Sequence, residues 1–168
     1  MKRLAAALAL LLAGCMSPPA GCIDAVLYEG APSASLSVRD EGGGFWEDGA
    51  AVALELGPQG GFMVQPILVL DPAELPPGML GGATPERLCA RIEIENDDPS
   101  GGARFEGFGT FTLSVPFTRD SASGLYESPT LANQLRWSPL PSGTAYRFAA
   151  VARFPGFAAE VQRELTFR

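Results

Sequence analysis

The side chains of this sequence that could perform chemistry are mostly carboxylates. The chain contains nineteen Asp and Glu but no His, and its one Lys lies at position 2. Without His the commonest general base is missing, and with it the Ser-His-Asp and Cys-His nucleophilic sites. Zinc sites built from His and Cys are excluded for the same reason, and the lack of further Lys excludes Schiff-base and Ser-Lys chemistry.

The acids are densest at Glu93, Glu95, Asp97 and Asp98. Carboxylate oxygens bind calcium, and a carboxylate pair can hydrolyse a glycosidic bond without His. The spacing matches no EF-hand loop, calcium needs about six or more converging oxygens, and nothing singles out a catalytic pair. A solvated strand face followed by an ordinary turn accounts for the cluster. We therefore assign no catalytic residue, metal or cofactor, and we expect no enzymatic activity.

Two adjacent aromatic residues, Phe45 and Trp46, follow a run of three glycines. In an exposed loop such side chains would stack on sugar rings or contact a partner protein, whereas buried ones belong to the core. They are the candidate ligand contacts. The loop 57–61, Gly-Pro-Gln-Gly-Gly, lacks the Lys-Ser/Thr of a phosphate-binding loop, so it predicts a hairpin turn.

The first fourteen residues are predicted to be an export signal. Lys2 and Arg3 precede an apolar run, Leu4 to Leu12, that is shorter than the ~20 residues needed to span a bilayer. The run ends in Leu-Ala-Gly-Cys at positions 12–15, which resembles the bacterial lipobox at all four positions.

That resemblance implies that residues 1–14 are a lipoprotein signal peptide and that the thiol of Cys15 carries the lipid. Several acyl chains on one residue would bind a bilayer stably, since each buried methylene contributes ~0.8 kcal/mol. Lipoproteins kept in the inner membrane often have Asp after the Cys, whereas here the residue is Met16. The resemblance therefore points to the outer membrane, on either its periplasmic or its cell-surface face.

If Cys15 is acylated, Cys22 and Cys89 are left in an oxidising compartment, where we expect them to pair as a disulfide. The alternative is two separate thiols, one of them reactive. The bridge would close a loop of about 68 residues and contribute ~4 kcal/mol in the chain-entropy model.

The charge of the chain limits its partners. After residue 14 it has ten Arg against nineteen acids, a formal charge of −9. An acidic exported protein is an improbable partner for nucleic acid, because phosphate backbones repel it. The lipid bilayer, reached through Cys15, is the expected partner.

From Leu36 onward, apolar residues recur with a period of two, which predicts β-strands rather than helices. The predicted strands lie within 50–57, 62–70, 90–96, 109–117, 144–154 and 159–168. Pro66 requires a bulge or an edge position, and Arg163 predicts a bulge in the last strand. We expect an all-β antiparallel sandwich over residues 36–168, after an anchored tether at 15–35; whether residues 23–28 form a strand stays open.

The segment 140–148 resembles the entry to the sixth strand of fibronectin type III domains at Leu140, Thr144 and Tyr146. This resemblance implies an immunoglobulin-like sandwich in which the Tyr146 hydroxyl closes a tyrosine corner, with Trp137 packed beneath it. The family's Pro would fall at Ser142, whereas here it is Pro141.

Residues 40–70 resemble a segment of uncharacterised predicted lipoproteins of myxobacteria. The shared pattern is Gly44-Phe45, Asp48-Gly49 and the run from Leu56 to Gly61, although Met63 stands where many members have His. The resemblance implies an exported all-β domain and assigns no activity.

These observations together predict a lipid-anchored envelope protein with a non-enzymatic module that binds another protein or a polysaccharide. Two alternatives stay open: a purely structural component of an envelope assembly, and a hydrolase, such as a glycosidase, that uses only carboxylates.

Overall fold

The computed structural model describes residues 22, 26–58, 60–75, 77–80, 84–97, 110–136 and 140–168. Within these residues the chain forms β-strands and one 3-10 turn, Pro72–Glu74, and no α-helix. The all-β prediction is confirmed. In chain order the strands are β1 Ala34–Ser35, β2 Ser37–Arg39, β3 Ala51–Val52, β4 Glu55–Leu56, β5 Phe62–Val64, β6 Ile67–Leu70, β7 Arg87–Asp97, β8 Thr110–Arg119, β9 Tyr126–Glu127, β10 Asn133–Arg136, β11 Ala145–Phe154 and β12 Phe157–Phe167.

The alternation read from the sequence is clearest in β11. Its even-numbered residues, from Tyr146 to Phe154, are buried, while the odd-numbered residues between them are partly exposed. A strand with this pattern covers the core with one face and meets water with the other. β11 continues into β12 through the turn at Pro155 and Gly156, where the positive φ of 91° suits glycine.

The four longest strands form one antiparallel unit in the order β12-β11-β7-β8. The sheet continues from β8 through β9 and β6 to β2, while β1 lies on the far side of β12. β1 and β2 thus lie at the two ends of the strand order, yet only Leu36 separates them in the sequence. The sheet therefore nearly closes on itself. β10, β5 and β4 form a second, three-stranded sheet.

The pairing is mixed rather than purely antiparallel. β1 and β3 both run parallel to β12, at its beginning and at its end. The expected interruption at Pro66 is present, because that residue separates β5 from β6. The bulge expected at Arg163 is wrong: β11 and β12 pair without a break from Ala145–Thr166 to Phe154–Phe157. Arg163 fits the regular strand because its Nε donates to the carbonyl oxygen of Trp46 at 2.8 Å.

The folded part begins before position 36. The amide of Tyr28 donates to the carbonyl of Phe154, and that of Ser33 to the carbonyl of Ala158. Residues 26–33 make these bonds without forming a strand, and β1 follows within the expected tether. Hydrophobic alternation does not register such an irregular segment, because it pairs through its backbone.

A buried polar cluster lies in the core, formed by Asn96 of β7, Asn133 of β10 and Tyr146 of β11. The two amide side chains bond each other at 3.0 and 2.8 Å, and the Tyr146 hydroxyl donates to Asn96 Oδ1 at 2.7 Å. Burial raises the pKa of Tyr146 well above its usual value. Because Asn133 belongs to the smaller sheet and its partners to the larger one, the cluster ties the two sheets together.

The expected tyrosine corner takes a different form. In that motif the hydroxyl bonds to backbone a few residues upstream. A phenol has one proton to donate, and Tyr146 gives it to a side chain fifty positions away. Thr144 instead closes the turn, because its hydroxyl donates to the carbonyl of Pro141 at 2.7 Å. Trp137 lies outside the described residues.

Candidate functional site

Cys22 and Cys89 form a disulfide, with their Cα atoms 5.2 Å apart. Cys89 lies near the beginning of β7, so the bridge attaches residue 22 to the largest sheet. The sequence expectation of a pair, rather than two separate thiols, agrees with this geometry. Cys15, the expected lipid attachment point, lies outside the described residues.

Phe45 and Trp46, the candidate ligand contacts, differ sharply in exposure. Phe45 is 50% exposed, whereas Trp46 is 5% exposed and its ring meets the edge of Phe148 at a centroid distance of 5.7 Å. Trp46 is therefore a core residue for most of its surface. The sequence did not determine whether Trp46 is exposed. In the structure it is buried, because β11 supplies an aromatic partner.

The segment around Trp46 is fixed by backbone bonds to its neighbours. The amide of Trp46 donates to the carbonyl of Val38, and that of Gly49 to the carbonyl of Glu164. In return Asp48 Oδ1 accepts from the amide of Glu164 at 3.0 Å. The chain between β2 and β3 is thereby held along β12, and Trp46 contributes to the lining of a surface recess.

This recess has a volume of about 270 Å³. We call it the Trp46 recess; its lining is Asp40, Glu41, Gly42, Trp46, Ala53, Glu55, Gln65 and Arg168. Three carboxylates against one guanidinium make its lining side chains net negative. Residues 40–42 supply part of the lining, and Ala53, Glu55 and Gln65, from β4 and the residues flanking β4 and β5, supply another part.

Among the described residues, each carboxylate of the recess accepts one side-chain or backbone hydrogen bond. Asp40 Oδ1 accepts from the amide of Gly44 at 2.9 Å, and Glu41 Oε1 accepts from the Thr130 hydroxyl at 2.9 Å. Glu55 Oε2 accepts from Gln65 Nε2 at 2.7 Å. An ionised carboxylate has about four acceptor positions, so each keeps capacity for a ligand. The arrangement presents several hydrogen-bond acceptors beside Trp46.

The hairpin that carries Glu55 forms as the glycine pattern predicts. The amide of Gly57 donates to the carbonyl of Gly61, and that of Gly60 to the carbonyl of Gly57. Gly60 has a φ of 84°, which disfavours other residues. The loop is a turn and not a phosphate cradle; Gln59 lies outside the described residues.

The acidic run that suggested calcium is engaged in ion pairs. Glu93 Oε1 lies 3.4 Å from the Nε of Arg153, and Asp97 Oδ2 lies 3.3 Å from Nη1 of Arg147. Glu95 is exposed, and Asp98 lies outside the described residues. Among the residues that the structure describes, no group of three or more acids or cysteines is placed to hold a metal ion.

A second recess, of about 340 Å³, lies where β8 meets β9. Its wall includes Glu127, which pairs with Arg39 through bonds of 2.7 and 3.2 Å. This hydrogen bond raises the pKa of Arg39. The pair joins β2 to β9 across β6, so these charges support the sheet and leave the Trp46 recess as the stronger candidate.

No family model, curated protein or solved structure matches this chain. No helix in the described part of the chain is long and apolar enough to cross a membrane.

Proposed function

We propose that this chain is an outer-membrane lipoprotein, anchored through Cys15, whose β domain is a non-enzymatic binding module. The lipobox pattern at positions 12–15 supports the anchor. The observation that carries the binding role is the Trp46 recess, since it brings three carboxylates with spare acceptor capacity together beside Trp46. We assign it a polysaccharide ligand, because sugar hydroxyls supply the several donors that such acceptors need.

We also propose an immunoglobulin-like sandwich. The neighbours β7, β11 and β12 follow the order of the C, F and G strands of that fold, with β11 and β12 as the closing hairpin. Likewise β2 pairs with β6, and β6 with β9, as A, B and E would. The short parallel pairs at the edge of β12 are additions to this scheme. A solved structure whose strands follow another order would contradict it.

The binding proposal is tested by tryptophan fluorescence of the whole chain. The protein has two Trp, so a Trp137→Phe variant leaves Trp46 as the sole reporter. It is titrated with an amino-sugar oligosaccharide, a neutral glucan and an acidic polysaccharide. We expect saturable changes with the first two and none with the third, which the acidic lining repels.

A matched pair of variants places the contact. Glu55→Gln removes a recess charge and should weaken binding at least tenfold, because a charged acceptor bonds roughly twice as strongly as a neutral one. Glu95→Gln makes the same change at an exposed site on β7 and should leave affinity unchanged. Equal affinity for all three proteins would place the ligand elsewhere, and no response to any sugar would contradict the polysaccharide assignment.

The anchor has a separate test. In cells fed a radiolabelled fatty acid, the wild-type chain should incorporate label and sediment with outer membranes. A Cys15→Ala variant should incorporate none. Label retained by that variant, or a wild-type protein free of label, would contradict lipid attachment at Cys15.

A further inference from the structure

Within the part of the chain that the structure describes, most of the outer side of β8 is an unpaired sheet edge. On its inner side β8 pairs with β7 from Thr110 to Thr118, whereas on the outer side only Thr118 and Arg119 meet β9. Residues 110–117 therefore have no strand beside them within the described chain, and this is its longest run of that kind. Exposed edges of this length are sites where another chain can add a strand.

The direction of the backbone groups follows from two observations. The amide of Arg119 donates to the carbonyl of Glu86, on the β7 side. Since successive residues of a strand direct their amides to opposite sides, even-numbered residues of β8 face the free side. Pro116 agrees with this, because a proline in a strand is tolerated where its nitrogen faces away from the ladder. The free edge thus offers the N–H groups of Thr110, Thr112 and Ser114.

The free edge carries no charged side chain. No charged residue lies between Thr110 and Thr118, although the whole protein has a formal charge of −7. Leu113 is only partly buried, whereas Val115 and Phe117 on the same face are buried. The edge therefore lacks the Lys or Glu with which edge strands usually prevent pairing, and Leu113 has apolar surface left to cover.

We propose that two copies of this chain pair through β8, antiparallel, about a two-fold axis at Thr112. In this register Thr110 lies opposite Ser114 of the second copy and Thr112 opposite itself. All three outward N–H groups of each copy then find carbonyl partners, and Pro116 falls outside the paired residues. A two-fold contact of this kind is self-complementary.

A second copy fits this edge better than an unrelated acidic or basic peptide. Two chains that each have a formal charge of −9 after residue 14 repel each other wherever their charged surfaces meet, yet here the paired residues are neutral. Hydroxyl residues at positions 112 and 114 lie on one face of both strands, and Thr-Thr and Thr-Ser cross-strand pairs stabilise a sheet. In this register Leu113 lies opposite position 111 of the second copy, so the added strand lies beside its exposed surface.

The test is the association state of the whole protein, measured by sedimentation velocity in density-matched detergent. We expect a dimer for the wild type. Ser114→Pro removes one outward donor from each copy without removing a donor to β7, and it should raise the dissociation constant by about a hundredfold or more. Ser114→Val keeps the N–H and should leave the dimer intact. Circular dichroism establishes that each variant is folded.

A second variant covers the case in which Ser114→Pro does not fold. Thr112→Lys puts two like charges directly opposite each other at the axis, so the protein should be monomeric at low salt and regain part of its affinity when salt screens the charges. A wild-type monomer at about 100 μM overturns the proposal, whether or not another protein binds the edge. So does a folded Thr112→Lys or Ser114→Pro protein that dimerises as tightly as the wild type.

Discussion

Among single residues, we expect substitutions in the buried trio of Asn96, Asn133 and Tyr146 to lower the free energy of unfolding, because the three side chains bond one another. Replacing Asn133 with Leu keeps a similar volume but removes both amide bonds to Asn96 and the contact with Tyr146. Buried polar groups that lose their partners cost ~1–3 kcal/mol each. We expect Asn133→Leu to lower the free energy of unfolding by about 2–4 kcal/mol in urea titrations.

The control for this substitution is Thr130→Val. It deletes an exposed hydroxyl bond to Glu41 and should change stability by less than about 0.5 kcal/mol. A loss below about 1 kcal/mol for Asn133→Leu would show that the cluster relaxes or is reached by water.

The burial of Tyr146 should make the free energy of unfolding depend on pH in the alkaline range. Burial raises its pKa in the folded protein, so the phenol stays protonated there while it ionises near pH 10 in the unfolded chain. Above that pH the unfolded state binds fewer protons, and the free energy of unfolding falls by up to ~1.4 kcal/mol per pH unit. The stability is complete below pH ~10 and lost as pH rises above it.

Urea titrations between pH 8 and 11 measure this slope. Tyr146→Phe should reduce it, leaving the smaller contribution of Tyr126, whose pKa desolvation also raises. An identical slope in the Tyr146→Phe protein would contradict the assignment.

The Cys22–Cys89 disulfide should contribute to the free energy of unfolding. Replacing Cys22 and Cys89 together with Ser frees a loop with a sequence separation of 67. We expect the free energy of unfolding to fall by ~4 kcal/mol, since the unfolded chain regains its loop entropy. Urea titration of the double variant beside the oxidised protein measures the difference. A loss below about 1 kcal/mol would mean that the bridge contributes little.

The role of a residue could be predicted from the sequence only where that role does not depend on residues far away in the chain. The Cys22–Cys89 pair followed from counting cysteines, because only two were left to pair. The burial of Trp46 could not be read, since it depends on Phe148, about a hundred positions away. The recess acids Asp40, Glu41 and Glu55 were missed for the same reason, and the only signal was their position beside the glycine-rich turns.

At the scale of elements, the segment 46–50 couples the recess to β12. Asp48 accepts the amide of Glu164, and Arg163 donates to Trp46. We expect Asp48→Ala to speed amide hydrogen exchange at Gly49 and Glu164 and to weaken ligand binding in the recess severalfold, because the wall that carries Trp46 loosens. Glu47→Ala, at the exposed preceding residue, is the matched control.

Equal rates of amide hydrogen exchange at Gly49 and Glu164 in the Asp48→Ala and Glu47→Ala proteins would contradict this coupling. If Asp48→Ala speeds exchange but leaves affinity unchanged, the segment 46–50 does not contribute to ligand binding. The carboxylates would then account for the binding by themselves.

Elements were predictable where a strand alternates for ten residues, as β11 and β12 do. They were not predictable where pairing is short or non-local. β1 and β3 have two residues each and exist because β12 offers backbone partners. Arg163 misled the pattern because a long polar side chain can lie on the apolar face and bond to a carbonyl beside it.

At the scale of the whole molecule, the proposed dimer and the proposed lipid anchor together would constrain the orientation of the protein on the membrane. Cys89 lies opposite Pro116, four residues from the proposed axis at Thr112. At ~3.3 Å per residue, the bridges of the two copies are separated by roughly 26 Å along the strands. The seven-residue span from Cys15 to Cys22 reaches ~25 Å at most. With strands upright on the membrane, one copy would have its tether fully stretched.

The dimer should therefore lie with its long strands along the membrane surface, where both tethers reach the bilayer without stretching. Polarised infrared absorption of the amide I band, on the lipidated protein bound to a supported bilayer, measures the angle between strands and membrane. We expect wild type to show strands close to the membrane plane, and the monomeric Thr112→Lys protein to show a broader, less ordered signal because one short tether permits many tilts. Strands along the membrane normal in a bound dimer would contradict this arrangement, and either the register at Thr112 or the attachment at Cys15 would then have to be abandoned.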